Sequence, residues 1–134
     1  MPIALEIVSP ERLVLSRPVD MAVIPADEGD MGVLGGHAPM IVALRGGAIA
    51  LYTGEEITDR LFVSGGFAEI TPDRCTVLAT EAVPVADLRR AEGERRLAAA
   101  EAAYEAADKS DTTVEDAALD AIQAARAMVG TAEA

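Results

Sequence analysis

The sequence predicts a β plus α protein in which a β-sandwich is followed by a two-helix hairpin. Before Pro84, short apolar runs alternate with turns that contain glycine and proline, and such closely spaced strands are typical of an antiparallel sandwich or barrel. After Pro84, glycine is scarce and alanine, glutamate and arginine dominate, which favours helices. We therefore divide the chain into a sandwich domain, residues 1–84, and a helical arm, residues 85–134.

Eight stretches of the first part have the apolar composition of strands. They are residues 4–8, 13–15, 19–24, 40–44, 48–52, 60–64, 67–70 and 75–80. In the third stretch, Val19, Met21 and Val23 share one face, at the period of two residues that a strand has. Pro25 and the turn at residues 27–30 are expected to end that strand.

Two amphipathic helices are predicted in the second part. Asp87 is a suitable N-cap for the first, because its carboxylate can accept hydrogen bonds from the free N–H groups of the first turn. Thr112 and Glu115 match a capping box at the start of the second helix, and Gly130 is expected to end it. The turn at residues 108–111 would join the helices as an antiparallel hairpin.

The faces on which these helices are predicted to pack are made mostly of alanine. In the first helix the stripe consists of Leu88, Ala91, Leu97, Ala98, Ala102, Tyr104 and Ala106. In the second it consists of Val114, Ala117, Ala118, Ala121, Ile122, Ala125, Met128 and Val129. Small side chains bury little apolar area, at about 25 cal/mol per Å². The helices should therefore be held weakly, to each other and to the sandwich, as an arm that can detach.

The charge of the chain excludes two classes of partner. There are 11 Lys and Arg residues against 23 Asp and Glu residues, which gives a formal net charge of −12. Such a balance repels nucleic-acid phosphates and anionic lipid, so neither nucleic-acid binding nor direct membrane insertion is expected. It suits a protein that docks on basic protein surfaces. The start of the chain lacks the features of a signal peptide, and every apolar run is shorter than the ~20 residues of a membrane span.

The residue inventory also argues against a metal site and an enzyme. Cys75 and His37 are the single cysteine and the single histidine, so a zinc site is not expected. Ser64 precedes a glycine pair, but Phe62 stands where a nucleophile elbow needs glycine. The glycine pairs lack the Lys-Ser/Thr of a phosphate-binding P-loop. We therefore predict no catalytic residues and no metal.

Three other segments have a structural and a functional interpretation each. The acidic residues Glu28 and Asp30 form either an ordinary exposed turn or a tip that binds a basic partner. His37 either satisfies backbone groups of its loop or contacts a partner directly. Asp87 and Arg90 form either a charged helix start or a nucleotide site, in which the carboxylate would hold adenine or ribose and the guanidinium would hold phosphate.

Several stretches together resemble the epsilon subunit of bacterial F-type ATP synthases, whose mitochondrial counterpart is called delta. They are residues 7–11 (IVSPE), 28–34 (EGDMGVL), 36–39 (GHAP), 62–70 (FVSGGFAEI) and 76–79 (TVLA), followed by Glu81. Each motif is weak by itself, but their order and spacing match the family along residues 1–91, and the helical hairpin extends the match to the end.

The resemblance implies a ten-stranded antiparallel sandwich with a C-terminal helical hairpin. It implies a non-catalytic rotor subunit that couples the gamma subunit to the c-subunit ring of a proton-translocating ATP synthase, at the cytoplasmic face of the bacterial inner membrane. Glu28, Asp30 and Met31, with His37 nearby, resemble the tip that faces the c-ring and gamma. The hairpin would either lie beside the sandwich or extend along gamma towards the alpha and beta subunits and restrain ATP hydrolysis.

Some members of this family bind ATP on the folded hairpin, which makes ATP a candidate regulatory ligand. The matching residues here are Glu81, Asp87, Arg90, Ala91 and Arg126. Ala86 replaces the motif's leading isoleucine or leucine, and Gly130 stands where some relatives carry a second arginine. Losing a charge-assisted phosphate contact costs about 1.5–3 kcal/mol. We therefore expect ATP binding to be weak or absent, and strong inhibition by so weakly basic a second helix is not expected.

Two further functions are compatible with parts of the sequence. A free nucleotide-sensing module would be supported by Asp87, Arg90 and Arg126, and would bind ATP tightly without partners. A small enzyme would turn over substrate without partners. Binding to a gamma subunit would favour the rotor subunit over both.

Overall fold

The computed structural model describes residues 2–133. Ten strands precede two helices, as the family resemblance implied. The strands are β1 (Ile3–Ser9), β2 (Arg12–Val19), β3 (Met21–Ala26), β4 (Gly29–Leu34), β5 (Met40–Leu44), β6 (Gly47–Thr53), β7 (Glu56–Val63), β8 (Gly66–Ile70), β9 (Arg74–Ala79) and β10 (Ala82–Pro84). A short 3-10 turn, Val85–Asp87, leads to helices α1 (Arg90–Ala106) and α2 (Thr112–Thr131). The predicted β plus α fold is confirmed.

The strands form one continuous sheet that folds over on itself as a sandwich. Its order is β10-β7-β6-β3-β5-β8-β9-β1-β2, and β4 pairs with β3 off this path. All pairings are antiparallel except the one between β1 and β9, in which Ala4 stands opposite Arg74. The core between the layers is aliphatic, and its fully buried members include Ile3, Leu5, Ile24, Leu51 and Val77.

The third predicted strand is divided in two by Asp20. The Asp20 amide donates to the Tyr52 carbonyl at 3.0 Å, and its carboxylate accepts from the Gly54 amide at 2.6 Å, which fixes a corner between β2 and β3. After this corner, β3 buries Ala22 and Ile24 and leaves Met21 and Val23 only half-buried, so the predicted face does not continue across it.

Two strands were missed from composition alone, and Pro25 does not end a strand as expected. Pro25 lies inside β3, where its carbonyl still accepts from the Arg45 amide at 2.9 Å. Strand β4 holds two glycines, Gly29 and Gly32, but pairs with β3 along its whole length. Pairing with a neighbour therefore outweighs the low intrinsic preference of glycine for strands. The three-residue β10 is too short to show a pattern.

The helix boundaries differ from the prediction at three points. Asp87 ends the 3-10 turn, and α1 begins at Arg90 without a side-chain cap. Helix α2 is capped by Asp111, whose carboxylate accepts from the Thr113 and Val114 amides, so the cap lies one residue before Thr112. Gly130 is inside α2, because the helix continues to Thr131.

The helices form the predicted antiparallel hairpin, but α1 uses a different face. Ala91, Ala98, Ala102 and Ala106 are exposed, whereas Gly93 and Ala100 are buried. Gly93 allows the close contact, since a Cβ there would lie 2.9 Å from Val129 Cγ2 and 3.0 Å from the Val129 amide nitrogen. In α2 the predicted Ile122, Ala125 and Met128 are buried, and Val114, Ala117 and Ala121 are exposed.

Candidate functional site

The acidic residues of the β3–β4 turn lie beside apolar residues of β5. Glu28, Asp30 and Met31 line a groove of about 560 Å³ together with Met40 and Ile41. Ile41 is 71 % exposed. An acidic rim beside an exposed apolar floor is suited to a partner surface that is basic at its edge and apolar at its centre.

Arg45 partly neutralises this acidic turn. Its guanidinium lies 2.7 Å from the Asp30 carboxylate and donates to the Ala26 carbonyl, also at 2.7 Å. Asp27 and Glu28 are exposed at the tip. The charge offered to a partner therefore comes mainly from these two residues, and Asp27 was not among the predicted contacts.

His37 lies just beyond the C-terminal end of β4. It follows β4 in the chain, whereas Glu28 precedes β4. The His37 ring nitrogen Nδ1 lies 2.8 Å from the Ala38 carbonyl, and its amide donates to Leu34 at 3.2 Å. The four predicted contact residues thus lie along β4 and at its two ends.

A second surface feature was not predicted from the sequence: an apolar row crosses the outer face of five strands. In the pairing registers the row runs through Ala43, Phe67, Leu78, Val8 and Leu13. Phe67 is 57 % exposed, Leu78 52 % and Leu13 53 %. We call these five residues the outer row. Contiguous exposed apolar side chains of this kind mark interaction surfaces.

The sequence contains a signal for the outer row that could have been used. A strand with one solvated face should alternate apolar and polar residues. Instead, Val77 is buried in the core while its neighbour Leu78 is also apolar, and the same holds for Ala68 and Phe67. One apolar residue on the outer face of each strand, Phe67 on β8 and Leu78 on β9, is therefore the signal for this surface.

The hairpin is docked on the sandwich through a small apolar contact and several polar ones. Phe62, Leu88, Met128 and Ala132 form the buried apolar cluster at this junction. Nearby, the Gln123 side chain accepts from the Gly46 amide at 2.8 Å and donates to the Gly46 carbonyl at 2.7 Å. Neither Gln123 nor Gly46 was predicted to take part in docking the hairpin.

An ion-pair network joins α1 to the end of the sheet. Arg96 donates to both oxygens of Glu81, at 2.6 and 2.9 Å, and to Glu92 at 2.9 Å. The hydrogen bond from Arg96 holds the pKa of Glu81 below its ordinary value. Hydrogen bonds from Arg95 and Arg96 lower the pKa of Glu92 to about 2. Both carboxylates are therefore charged at neutral pH.

The structure brings only two of the five predicted ATP-site residues together. Glu81 and Asp87 line a shallow groove of about 300 Å³ with Glu92, Arg89 and Arg96. Three carboxylates and two guanidinium groups give this groove a net negative charge, which does not suit a triphosphate.

The other three predicted ATP-site residues do not line this groove. The Arg90 guanidinium donates to the Ala132 carbonyl at 3.4 Å. Ala91 and Arg126 are exposed on α1 and α2.

Within residues 2–133, no helix has the length and apolar character needed to cross a bilayer.

Comparisons with known proteins agree on one family. Residues 2–85 match the family described as ATP synthase, Delta/Epsilon chain, beta-sandwich domain. The chain is 65 % identical to the ATP synthase epsilon chain of Granulibacter bethesdensis over 129 residues, which are 96 % of each protein. It is 47 % identical to that of Gluconacetobacter diazotrophicus, covering 98 % of this chain and 94 % of the relative.

Solved structures share the fold across both parts of the chain. A chain in a structure of the Euglena gracilis mitochondrial ATP synthase (OSCP, F1 and c-ring) superposes with a TM-score of 0.75 at 24 % identity, covering 96 % of this chain and 80 % of that one. A chain from the central stalk and c-ring of the Tetrahymena thermophila enzyme gives 0.70 at 11 % identity, covering 97 % and 96 %. At these identities the likeness shows the fold alone.

Proposed function

Since the chain belongs to the ATP synthase delta/epsilon family, we propose that it is the non-catalytic rotor subunit that couples gamma to the c-ring of a proton-translocating enzyme. Its place would be the central stalk, at the cytoplasmic face of the bacterial inner membrane. The sandwich of residues 1–84 would make both contacts, and the arm of residues 85–134 would regulate ATP hydrolysis by moving towards the alpha and beta subunits. The observation that carries this proposal is the family match along nearly the whole chain.

Two surfaces divide the contacts in this proposal. The outer row would bind gamma. A permanent contact within the rotor needs an apolar centre, and Phe67, Leu78 and Leu13 supply one. The strip along β4, from Glu28 to His37, takes the polar loops of the c-ring. The exposed carboxylates of Asp27 and Glu28 support a basic partner there.

The test of the function is ATP hydrolysis by a reconstituted head of alpha, beta and gamma, with the full chain and with a version that ends at Pro84. We expect both versions to bind gamma and only the full chain to slow hydrolysis, and to do so partially, because α2 offers only Arg126 to acidic surfaces of the head. If neither version binds gamma, the rotor assignment is wrong. If both bind and neither slows hydrolysis, the regulatory role is wrong and the coupling role remains.

Replacing Phe67 with glutamate is expected to weaken gamma binding at least about tenfold. The substitution places a charge at the centre of the outer row, where a partner would have to remove water from it without supplying a counter-charge. Binding is measured by calorimetry against purified gamma. Ile57→Glu is the matched control, since Ile57 is 49 % exposed but lies on β7, outside the outer row. Equal binding by both variants would contradict the assignment of this surface to gamma.

A further inference from the structure

The first observation is the bond pattern between Gln123 and Gly46. The side-chain amide of Gln123 accepts a hydrogen bond from the Gly46 N–H at 2.8 Å and donates one to the Gly46 carbonyl at 2.7 Å. Helix α2 and the connection between β5 and β6 meet closely here, because a Cβ on Gly46 would lie only 2.6 Å from Ala124 Cα. A paired amide contact of this kind has a fixed direction and register, which an alanine surface cannot supply.

The second observation is the contact between Arg96 and Glu81. Arg96 belongs to α1 and Glu81 to the loop between β9 and β10, so the two parallel hydrogen bonds tie the arm to the sandwich. Glu92 also accepts from Arg96, which holds the guanidinium in place. This bidentate geometry is the strongest that a carboxylate and an arginine form.

The apolar contact between these two points is small. Phe62 and Leu88 meet Met128 and Ala132, whereas most other residues of the hairpin that face the sandwich are alanine. So limited a contact gives little apolar stabilisation. The polar contacts at either side therefore carry much of the preference for the docked position.

We propose that Gln123–Gly46 and Arg96–Glu81 form a two-point clamp that holds the hairpin docked without a bound nucleotide. Of the two cations in the groove beside Glu81 and Asp87, Arg96 is already paired with two carboxylates of the protein. An incoming triphosphate would have to compete with Glu81 and Glu92 for Arg96, in a groove whose net charge is negative. The significance of the clamp for ATP hydrolysis rests on the proposed function, but the clamp itself is a property of the free chain.

The first experiment breaks one point of the clamp and reads the other. Glu81→Gln is made in the full chain, and hydrogen exchange of the Gly46 amide is followed by NMR. We expect that amide to exchange about three to ten times faster, because losing a partly exposed charged contact releases the hairpin as a unit. Glu94→Gln is the matched control, since Glu94 is exposed on the same helix. The Val77 amide, inside the sandwich, should exchange at an unchanged rate in both variants.

The reciprocal experiment replaces Gln123 with leucine and follows trypsin cleavage after Arg96 by mass spectrometry. We expect cleavage to be several times faster than in the control Asp116→Leu, which changes an exposed position of α2. If Glu81→Gln leaves Gly46 exchange unchanged, or if Gln123→Leu leaves cleavage unchanged, the two contacts act separately and the clamp is refuted.

A third arm tests the independence from nucleotide. Adding about 1 mM Mg-ATP, which would half-saturate a site with a millimolar dissociation constant, should leave Gly46 exchange in the unsubstituted chain within a factor of about two. Slower exchange would show that ATP, and not the clamp alone, holds the docked state. Gamma is absent from all three experiments. They can therefore refute the clamp while the gamma-binding test supports the proposed function, or support the clamp while that test refutes the function.

Discussion

Replacing Gly66 with alanine is expected to lower the melting temperature of the sandwich by at least about 12 °C. Gly66 has φ +135°, a region that side chains rarely adopt, and a Cβ there would lie 2.1 Å from the Leu78 carbonyl oxygen. That oxygen belongs to the neighbouring strand β9, so the strands would have to separate. Backbone strain and lost pairing together should cost more than about 3 kcal/mol, which is a large part of the stability of a small domain.

Thermal unfolding followed by circular dichroism checks this prediction. Gly32→Ala is the matched control, because Gly32 also lies in a strand and a Cβ there would meet only Met21 Sδ, at an ordinary 3.5 Å. We expect its melting temperature to change by a few degrees at most. A Gly66→Ala protein that melts within about 3 °C of the unsubstituted chain would mean that β8 and β9 are less closely paired than described.

Replacing Gly46 with alanine is expected to release the hairpin while the sandwich stays folded. The added Cβ would lie 2.6 Å from Ala124 Cα, and a backbone atom in a helix cannot move aside without moving the helix. Overpacking of this kind costs about 1–3 kcal/mol, so the undocked population should rise about tenfold or more. Small-angle X-ray scattering should then show a larger radius of gyration at an unchanged sandwich melting temperature.

The control for this substitution lies on the helix that Gly46 contacts. Gly130 is exposed on α2, and a Cβ built on it meets nothing within 4 Å. Gly130→Ala should therefore leave the hairpin docked and raise the helix content slightly, since glycine costs up to about 1 kcal/mol in a helix. If Gly46→Ala keeps the compact scattering profile of the Gly130→Ala protein, the close approach at Gly46 does not control docking.

Much of the fold could be predicted because the sequence signals are local. Turns at glycine and proline and short apolar runs indicated most of the strands, and the break at residues 108–111 indicated the hairpin. Strand β4 was missed because its stability comes from pairing with β3, which no local pattern records. The predicted packing face of α1 was wrong because alanine occurs all round the helix. The face that packs is instead decided by Gly93, which permits close contact with α2.

The surfaces were harder to predict than the elements. The acidic turn was recognised because charge is visible in the sequence. The outer row depends on the registers that place Phe67 beside Leu78, and registers follow from tertiary pairing. The prediction that Asp87 caps α1 was wrong for a related reason. An intervening 3-10 turn moves the start of the helix to Arg90, and residue spacing alone cannot show such a turn.

The parallel pairing of β1 with β9 has a consequence for biosynthesis. Ala4 cannot meet Arg74 until most of the sandwich has left the ribosome, so the hairpin of β1 and β2 can join the rest of the sheet only after β9 is made. Such distant pairing slows folding to the millisecond-to-second range. The arm is synthesised last, and the surface on which it docks, Phe62 and Gly46 included, is then complete. Folding therefore proceeds in an order in which the sandwich is a finished template before the hairpin arrives.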